Sequence, residues 1–487
     1  MTKDYTIWID VEDIFRYFEN NTRPSGIQRL VFEILSVIRQ QAATKSDIGR
    51  IVLTRRNTGA IPETGSLLSP VSFDALNTLF STHTDDATPT HTEGRSAAHT
   101  PSHSLMRRLR HAIIRRIESL PPELARPLLN LAVNQLRALQ LLRRYARTKF
   151  QRAATPRNAV QAPLSPTTPA AASADAPKPG DIFLILGAAW SEPGFGDRLA
   201  RMRKAYGIQP VLLLSDLIPA IRPEWCALSL IRDFRHWLDT TLPQCGRLLA
   251  ISHATAKTID DYTRKHRLKL LAPVQTVPIG SGFGPPRKVT GERPKGLPAP
   301  ETYVLFVSTI EARKNHILAF RVWRRLVADL PPEQVPTLVF AGRVGWLVSD
   351  LMQQLENTDW LRGKIRLLRD PSDDELAHLY DGCMFTLFPS LFEGWGLPVT
   401  ESLIHGRPCV ASNATSVPEA GGPLSRYFDP ENTDDAYRVV RETIEDREGL
   451  TKWQEQVRTQ FKPTPWEHTA DAILDACHAA YVDGRAS

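Results

Sequence analysis

Short apolar runs alternate with stretches of helical periodicity along most of the chain. Tyr5–Val11 reads as an opening strand, and Gln28–Ile38 as an amphipathic helix entered through a loop at Ser25-Gly26. From Asp181 onward, DIFLIL, PVLLLS and RLLAIS are three short apolar strands with helical segments between them. The rhythm resumes with TYVLFVSTIEARKNHILAFRVW, then PTLVFAGRVGW and IRLLRDPSDDELAHLY as strand–helix units, the apolar run Cys383–Phe388 with its helix, and PCVASNATSVPEAGG as a further strand and turn. Strands apolar on both sides suit parallel sheets covered on both faces, so the pattern predicts an α/β, doubly wound architecture. Between the two groups lies VPIGSGFGPP, whose glycines precede no helix. It therefore reads as a crossing between domains rather than a dinucleotide fingerprint. The last segment, WEHTADAILDACHAAYV, predicts an amphipathic C-terminal helix.

The rhythm lapses from about residue 60 to 180. Thr82–Ser104 is rich in Thr, His, Ser and Pro and poor in apolar residues, the composition of a disordered tract. SLMRRLRHAIIRRIESL and the segment after Pro121-Pro122 then repeat Leu, Ile and Val at helical spacing among a dozen basic residues, from Arg107 to Arg152. A basic amphipathic helix pair has two readings: an element that meets an anionic membrane surface or partner helix, and an insertion with a solvated basic face. Nucleic acid is disfavoured, because no aromatic interleaving accompanies the arginines. Ala153–Pro179, rich in Pro and Ala, reads as a linker.

The length of 487 residues exceeds one comfortable core, which fits two domains. No run of about 18 apolar residues is available to span a bilayer, and the first residues carry Asp and Glu where a secretory apolar stretch belongs. The five cysteines are scattered without zinc or disulfide spacing. The expected location is the cytoplasm, peripheral on the inner face of the membrane if the basic helices bind it. The net charge of +7 asks for an anionic partner, and phosphorylated substrates are one class that meets it.

The candidate chemistry gathers around FPSLFEGWGLPVTES, where a strand runs through a glycine turn (Glu393, Gly394, Trp395, Gly396) into a helix with Pro398 in its first turn. A helix start of this kind holds a phosphate, and Gly394 and Gly396 would let a ligand approach the backbone. Glu393 and Glu401 frame the turn; as like charges they would not bind phosphate, and their natural partners are hydroxyls. Phosphate between two hydroxyl-binding carboxylates describes a nucleotide-sugar. A second strand ends at Ser308-Thr309 before Arg313 and Lys314, two cations ahead of a helix expected near Asn315. Cations oppose the dipole there unless a diphosphate is the neighbour.

These residues resemble the signature of the family-4 retaining glycosyltransferases: Glu, seven residues, Glu in the glycine-turn segment, and Arg-Lys-Asn after the earlier strand. The resemblance covers Ile7–Leu35 and most of Asp181–Val482. It implies two Rossmann-like domains facing a cleft (GT-B): an acceptor-side domain in 1–285 interrupted by the 60–180 insertion, a nucleotide-sugar domain in 286–464, and a helix in 465–487 packed back on the first. It implies that Glu393 contacts the donor sugar, Glu401 the ribose, and Arg313 and Lys314 the diphosphate. Trp395, Leu397 and Pro398 join the donor site, as does Thr309, which stands where many relatives carry Arg, so that Arg313 substitutes. Leu368 is expected to line the base pocket. Asp216 remains from a His-Asp pair whose His position holds Ser215. Gly26 and Arg29 either line the cleft or serve as a helix-entry turn and a surface charge, and His253 either touches the acceptor or is structural.

The implied reaction moves a hexosyl group, mannose first, from a nucleoside diphosphate sugar (GDP-mannose favoured) to a glycan or lipid-linked acceptor of bacterial surface polysaccharide. No cofactor or essential metal is expected, since no Asp-x-Asp stands at a strand end and the adjacent Asp373-Asp374 reads as a helix start. Two other readings stand beside it, a nucleotide-sugar epimerase of the same fold and a catalytically inactive binding scaffold.

Overall fold

The computed structural model describes residues 5–19, 21, 23–44, 48–56, 68–84, 176–283 and 292–486. The Thr82–Ser104 tract beyond residue 84, the basic helices of 104–152 and the linker up to residue 175 lie outside them.

The first sheet has seven strands: β1 (Thr6–Asp10), β2 (Arg50–Arg56), β3 (Leu68–Val71), β4 (Ile182–Ile185), β5 (Gln209–Leu214), β6 (Arg247–Ala250) and β7 (Gln275–Thr276). Their order is β3-β2-β1-β4-β5-β6-β7, and only β3 runs antiparallel. The second sheet has six parallel strands: β8 (Tyr303–Val307), β9 (Thr337–Ala341), β10 (Ile365–Leu368), β11 (Thr386–Phe388), β12 (Cys409–Ser412) and β13 (Arg426–Phe428), ordered β10-β9-β8-β11-β12-β13. Both sheets are doubly wound. In the second, the winding reverses between β8 and β11, so the loops leaving these strands diverge and open a crevice at their carboxyl ends, where such sheets bind ligands.

Strands β4, β5, β11 and β12 are buried along nearly their whole length, as runs of Ile, Leu, Val and Phe between two helical layers must be. The helix Trp466–Ala486 follows the second sheet in sequence yet buries Ala470, Ile473, Cys477 and Ala480 in the first domain's core, against the helix Gly26–Thr44 and β4–β6. The chain therefore crosses between domains twice, and the crossings lie side by side. Ser281 N–H donates to Thr464 O (2.9 Å), the Trp466 indole to Gly282 O (2.8 Å), and Gly280 leaves the space that the Trp466 ring fills.

One stretch departs from the sequence pattern. Residues 68–84 complete the first domain with β3 and the helix Phe73–Thr84, where the α/β rhythm was expected to have lapsed. The edge strand LSPV is only four residues long with a proline, and its helix is anchored mainly by Leu76 and Phe80. Phe80 stacks on Phe32 at 4.0 Å between centroids and meets Phe18 edge-on at 5.2 Å. So few apolar positions leave no visible period. Among the described residues, no helix is long and apolar enough to cross a membrane.

Candidate active site

The loop after β8 carries the cations. After Ser308 and Thr309, a single 3-10 turn, Ala312–Lys314, precedes Asn315 in the left-handed region (φ 62°). Asn tolerates that backbone, and here its amide donates to Pro389 O (3.1 Å) and Pro430 O (3.0 Å), tying this loop to the one leaving β11. The helix starts at His316, one residue later than the pattern predicts. Arg313 and Lys314 thus sit in a turn ahead of it.

The loop after β11 brings the carboxylate to them. Glu393 receives Arg313 Nη1 at 2.7 Å and Lys314 Nζ at 2.6 Å, while Arg313 Nη2 reaches Glu311 Oε1 at 2.7 Å and Nη1 also donates to Phe392 O at 2.7 Å. All four side chains are largely buried. Burial alone would raise the Glu393 carboxyl, but the two adjacent cations overturn it and hold it down at about 2. Burial pushes Lys314 down, helped by the Arg313 charge and opposed by Glu393. Glu393 was expected to meet hydroxyls. It stands as counter-ion to both cations, because a buried cation without an anion is costly.

Gly396 (φ 136°) then turns the chain into the helix Leu397–Ile404, with Pro398 in its first turn. On this helix Glu401 is buried. Its carboxyl is pushed up by burial, and the bond from the Tyr380 hydroxyl to its Oε2 (2.7 Å) opposes that rise. The indole N–H of Trp395 is buried with no partner among the described residues, so a donor beside the turn is uncommitted.

From the first domain come Asp216, at the end of β5, and the start of the helix Gly26–Thr44. Asp216 Oδ1 accepts the Ile218 N–H at 2.9 Å, and burial raises its carboxyl against the pull of Arg313. Arg29 spans the crevice to Asp373 at 3.0 Å. Together these groups enclose a cavity of about 490 Å³, lined among others by Gly26, Arg29, Asp216, Thr309, Arg313, Lys314, the whole turn Glu393–Pro398 and Glu401. One crevice thus brings Arg313 and Lys314, a helix start and the carboxylates of Glu393 and Glu401 to the space between the domains.

Residues 290–460 match the sequence profile described as Glycosyl transferases group 1. The second domain belongs to this family. The chain is 26% identical over 251 residues to the serotype-specific mannosyltransferase WbdA of Escherichia coli, a match that takes in 50% of this chain and 30% of WbdA. It is 29% identical over 178 residues to the O-antigen chain mannosyltransferase B of Escherichia coli, with 36% and 45% covered. The chain therefore spans less than half the length of these curated relatives. In three dimensions it resembles Anabaena Alr3699/HepE, seen in complex with UDP and glucose, at a TM-score of 0.53 and 12% identity over 98% of this chain and 100% of that one. The fold is the GT-B arrangement of two Rossmann-like domains.

Two expected site residues stand outside the cavity, and a third has a second task. His253 lies outside the cavity: its ring is exposed, with Nδ1 3.4 Å from Thr276 Oγ1. Its backbone N–H and that of Ala254 donate to the Glu419 carboxylate (2.8 and 2.9 Å), so a second-domain side chain caps a first-domain helix at its positive end. Leu368 packs into the cluster around Leu379 and Cys383 while its carbonyl accepts the Gly342 N–H; Leu376 lines the cavity instead. Gly394 lines the cavity as expected and also serves the domain seam: a Cβ there would strike the Ser215 carbonyl of the first domain.

Sequence reasoning missed Glu311, Tyr380 and Asp373. Glu311 follows an apolar strand end two residues before Arg313, an i,i+2 acid–base spacing that is visible but carries no helical or strand signal. The other two sit on a separate helix, Asp373–Gly382, and nothing local points them at the site.

Proposed function

We propose that the protein is a retaining hexosyltransferase, with GDP-mannose as leading donor and a glycan or lipid-linked glycan as acceptor. The observation that carries the reading is the Arg313–Glu393–Lys314 cluster, walled into the same cavity as Glu401 and the start of the helix Leu397–Ile404. Departure of a nucleoside diphosphate develops charge that preorganised cations and a helix start stabilise. As the diphosphate enters, it takes over Arg313 and Lys314 and frees Glu393 for sugar hydroxyls, while Glu401 meets the ribose and Asp216 and Arg29 face the acceptor side. The names of the Escherichia coli relatives favour mannose. The basic segment 104–152 supports an anionic membrane surface as the place where a lipid-linked acceptor is met.

The test is a thermal-shift panel of GDP, UDP, dTDP and their sugars, followed by transfer from labelled donor and NMR of the product anomer. Stabilisation by one nucleoside diphosphate and a product that keeps the donor's anomeric configuration are expected. A donor recovered with an inverted sugar carbon and no new glycoside would make the protein an epimerase. No response to any nucleotide would leave the inactive scaffold.

A further inference from the structure

We infer that Tyr380 is the positioning residue of the ribose site: it holds one oxygen of Glu401 and orients the other towards the ligand. The inference rests on the transferase reading above and extends it to a residue outside the cavity lining. The geometry is direct. Tyr380 is 2% exposed, and its hydroxyl donates to Glu401 Oε2 at 2.7 Å. Its ring stacks on His405 (5.0 Å between centroids, 11° between planes), and His405 Nδ1 is bound to Asp381 Oδ1 at 2.6 Å. The tyrosine is therefore clamped from behind by a fixed imidazole, and its hydroxyl has little freedom.

A carboxylate with one oxygen committed has a defined second oxygen, which is what a ribose diol needs from a single acceptor. The other charged groups near Glu401 are few. Arg29 acts across the cleft and His405 behind the tyrosine, both favouring the anion, while Asp373 opposes it. Burial pushes the Glu401 carboxyl up, and the tyrosine hydroxyl is the foremost group resisting that rise. Tyr380 itself stays protonated, because burial beside this carboxylate holds its hydroxyl well above the ordinary tyrosine range. It remains a donor at every working pH.

The experiment measures Kd for GDP and UDP by calorimetry from pH 5 to 8 on the full chain, for wild type, Tyr380→Phe, Glu401→Gln and the double variant. Thermal unfolding of each variant is the folding control. In Tyr380→Phe the acid side of the binding profile should move up by about one pH unit, with the affinity loss approaching tenfold only towards the acid end of the range and mostly gone at pH 8. That is the size expected for a lost bond to a charged group. In the Glu401→Gln background the same substitution should change Kd less than about twofold, since the group it acts through is gone.

With a 2′,3′-dideoxynucleoside diphosphate the difference between wild type and Tyr380→Phe should vanish. An unshifted profile in Tyr380→Phe overturns the inference, as does a loss that persists undiminished in the Glu401→Gln background. A wild type that binds no nucleoside diphosphate at any pH refutes the transferase reading and takes this one with it, an outcome distinct from the other two.

Discussion

Replacing Glu393 by Gln removes the anion between two buried cations and nearly nothing else. Arg313 keeps Glu311 and the Phe392 carbonyl, so it stays compensated. The Lys314 ammonium makes no other hydrogen bond among the described residues and keeps the Phe388 ring, 5.4 Å away, and the more distant Glu311 charge. Breaking one partner out of a buried pair costs roughly 3–5 kcal/mol, and the surviving Arg313 contacts place this case near 3. For a domain of this size that corresponds to a fall in Tm of about 6–12 °C. A diphosphate supplies the missing anion. Inorganic pyrophosphate or the preferred nucleoside diphosphate should therefore raise Tm more in Glu393→Gln than in wild type, while transfer collapses. Adding Lys314→Met should recover part of the lost stability, because an apolar replacement for a buried pair is often neutral. The assay is differential scanning fluorimetry at fixed protein and ligand concentration. A Tm within about 2 °C of wild type, or equal ligand responses in the two proteins, would refute the counter-ion exchange.

Three further outcomes follow from the same geometry. Glu311→Gln should leave Tm nearly unchanged and lower kcat about tenfold with little change in donor KM, because Arg313 keeps its Glu393 and Phe392 contacts but loses one arm of its fixed orientation; steady-state kinetics check it. Gly394→Ala should wedge the domain seam open, losing transfer and increasing the radius of gyration in solution scattering, since its Cβ meets the Ser215 carbonyl and not a flexible side chain. The Glu393 carboxyl is held at about 2 from an ordinary value of 4.5, so its contribution to stability is complete above about pH 4.5 and drains away as pH falls towards 2. The urea midpoint should drop between pH 5 and pH 3 in wild type, and by less in Glu393→Gln.

Much of this molecule can be read before it is folded. The two sheets show because β4, β5, β8 and β11 are unbroken apolar runs, and the cleft groups show because Arg313, Lys314, Glu393 and Glu401 each stand next to a strand end or glycine turn. What cannot be read is pairing across units. Tyr380 and Glu401 are 21 residues apart on different helices, and Arg29 and Asp373 come from different domains. Gly394 shows the same limit. Its glycine is plain in the sequence, but the Ser215 carbonyl that requires it belongs to the other domain. His253 was open to an acceptor role because it follows a strand end; the carboxylate that fixes its backbone is 166 residues away.

The helix Trp466–Ala486 bears on how the protein is made. As the chain leaves the ribosome, the first domain is short of the apolar face that Ala470, Ile473 and Cys477 provide until the second domain has already emerged. The second domain, whose strands and helices all lie within residues 303–460, can settle before its predecessor is finished. Synthesis order and folding order then run opposite to each other, and the nascent first domain would be the part that most needs a chaperone.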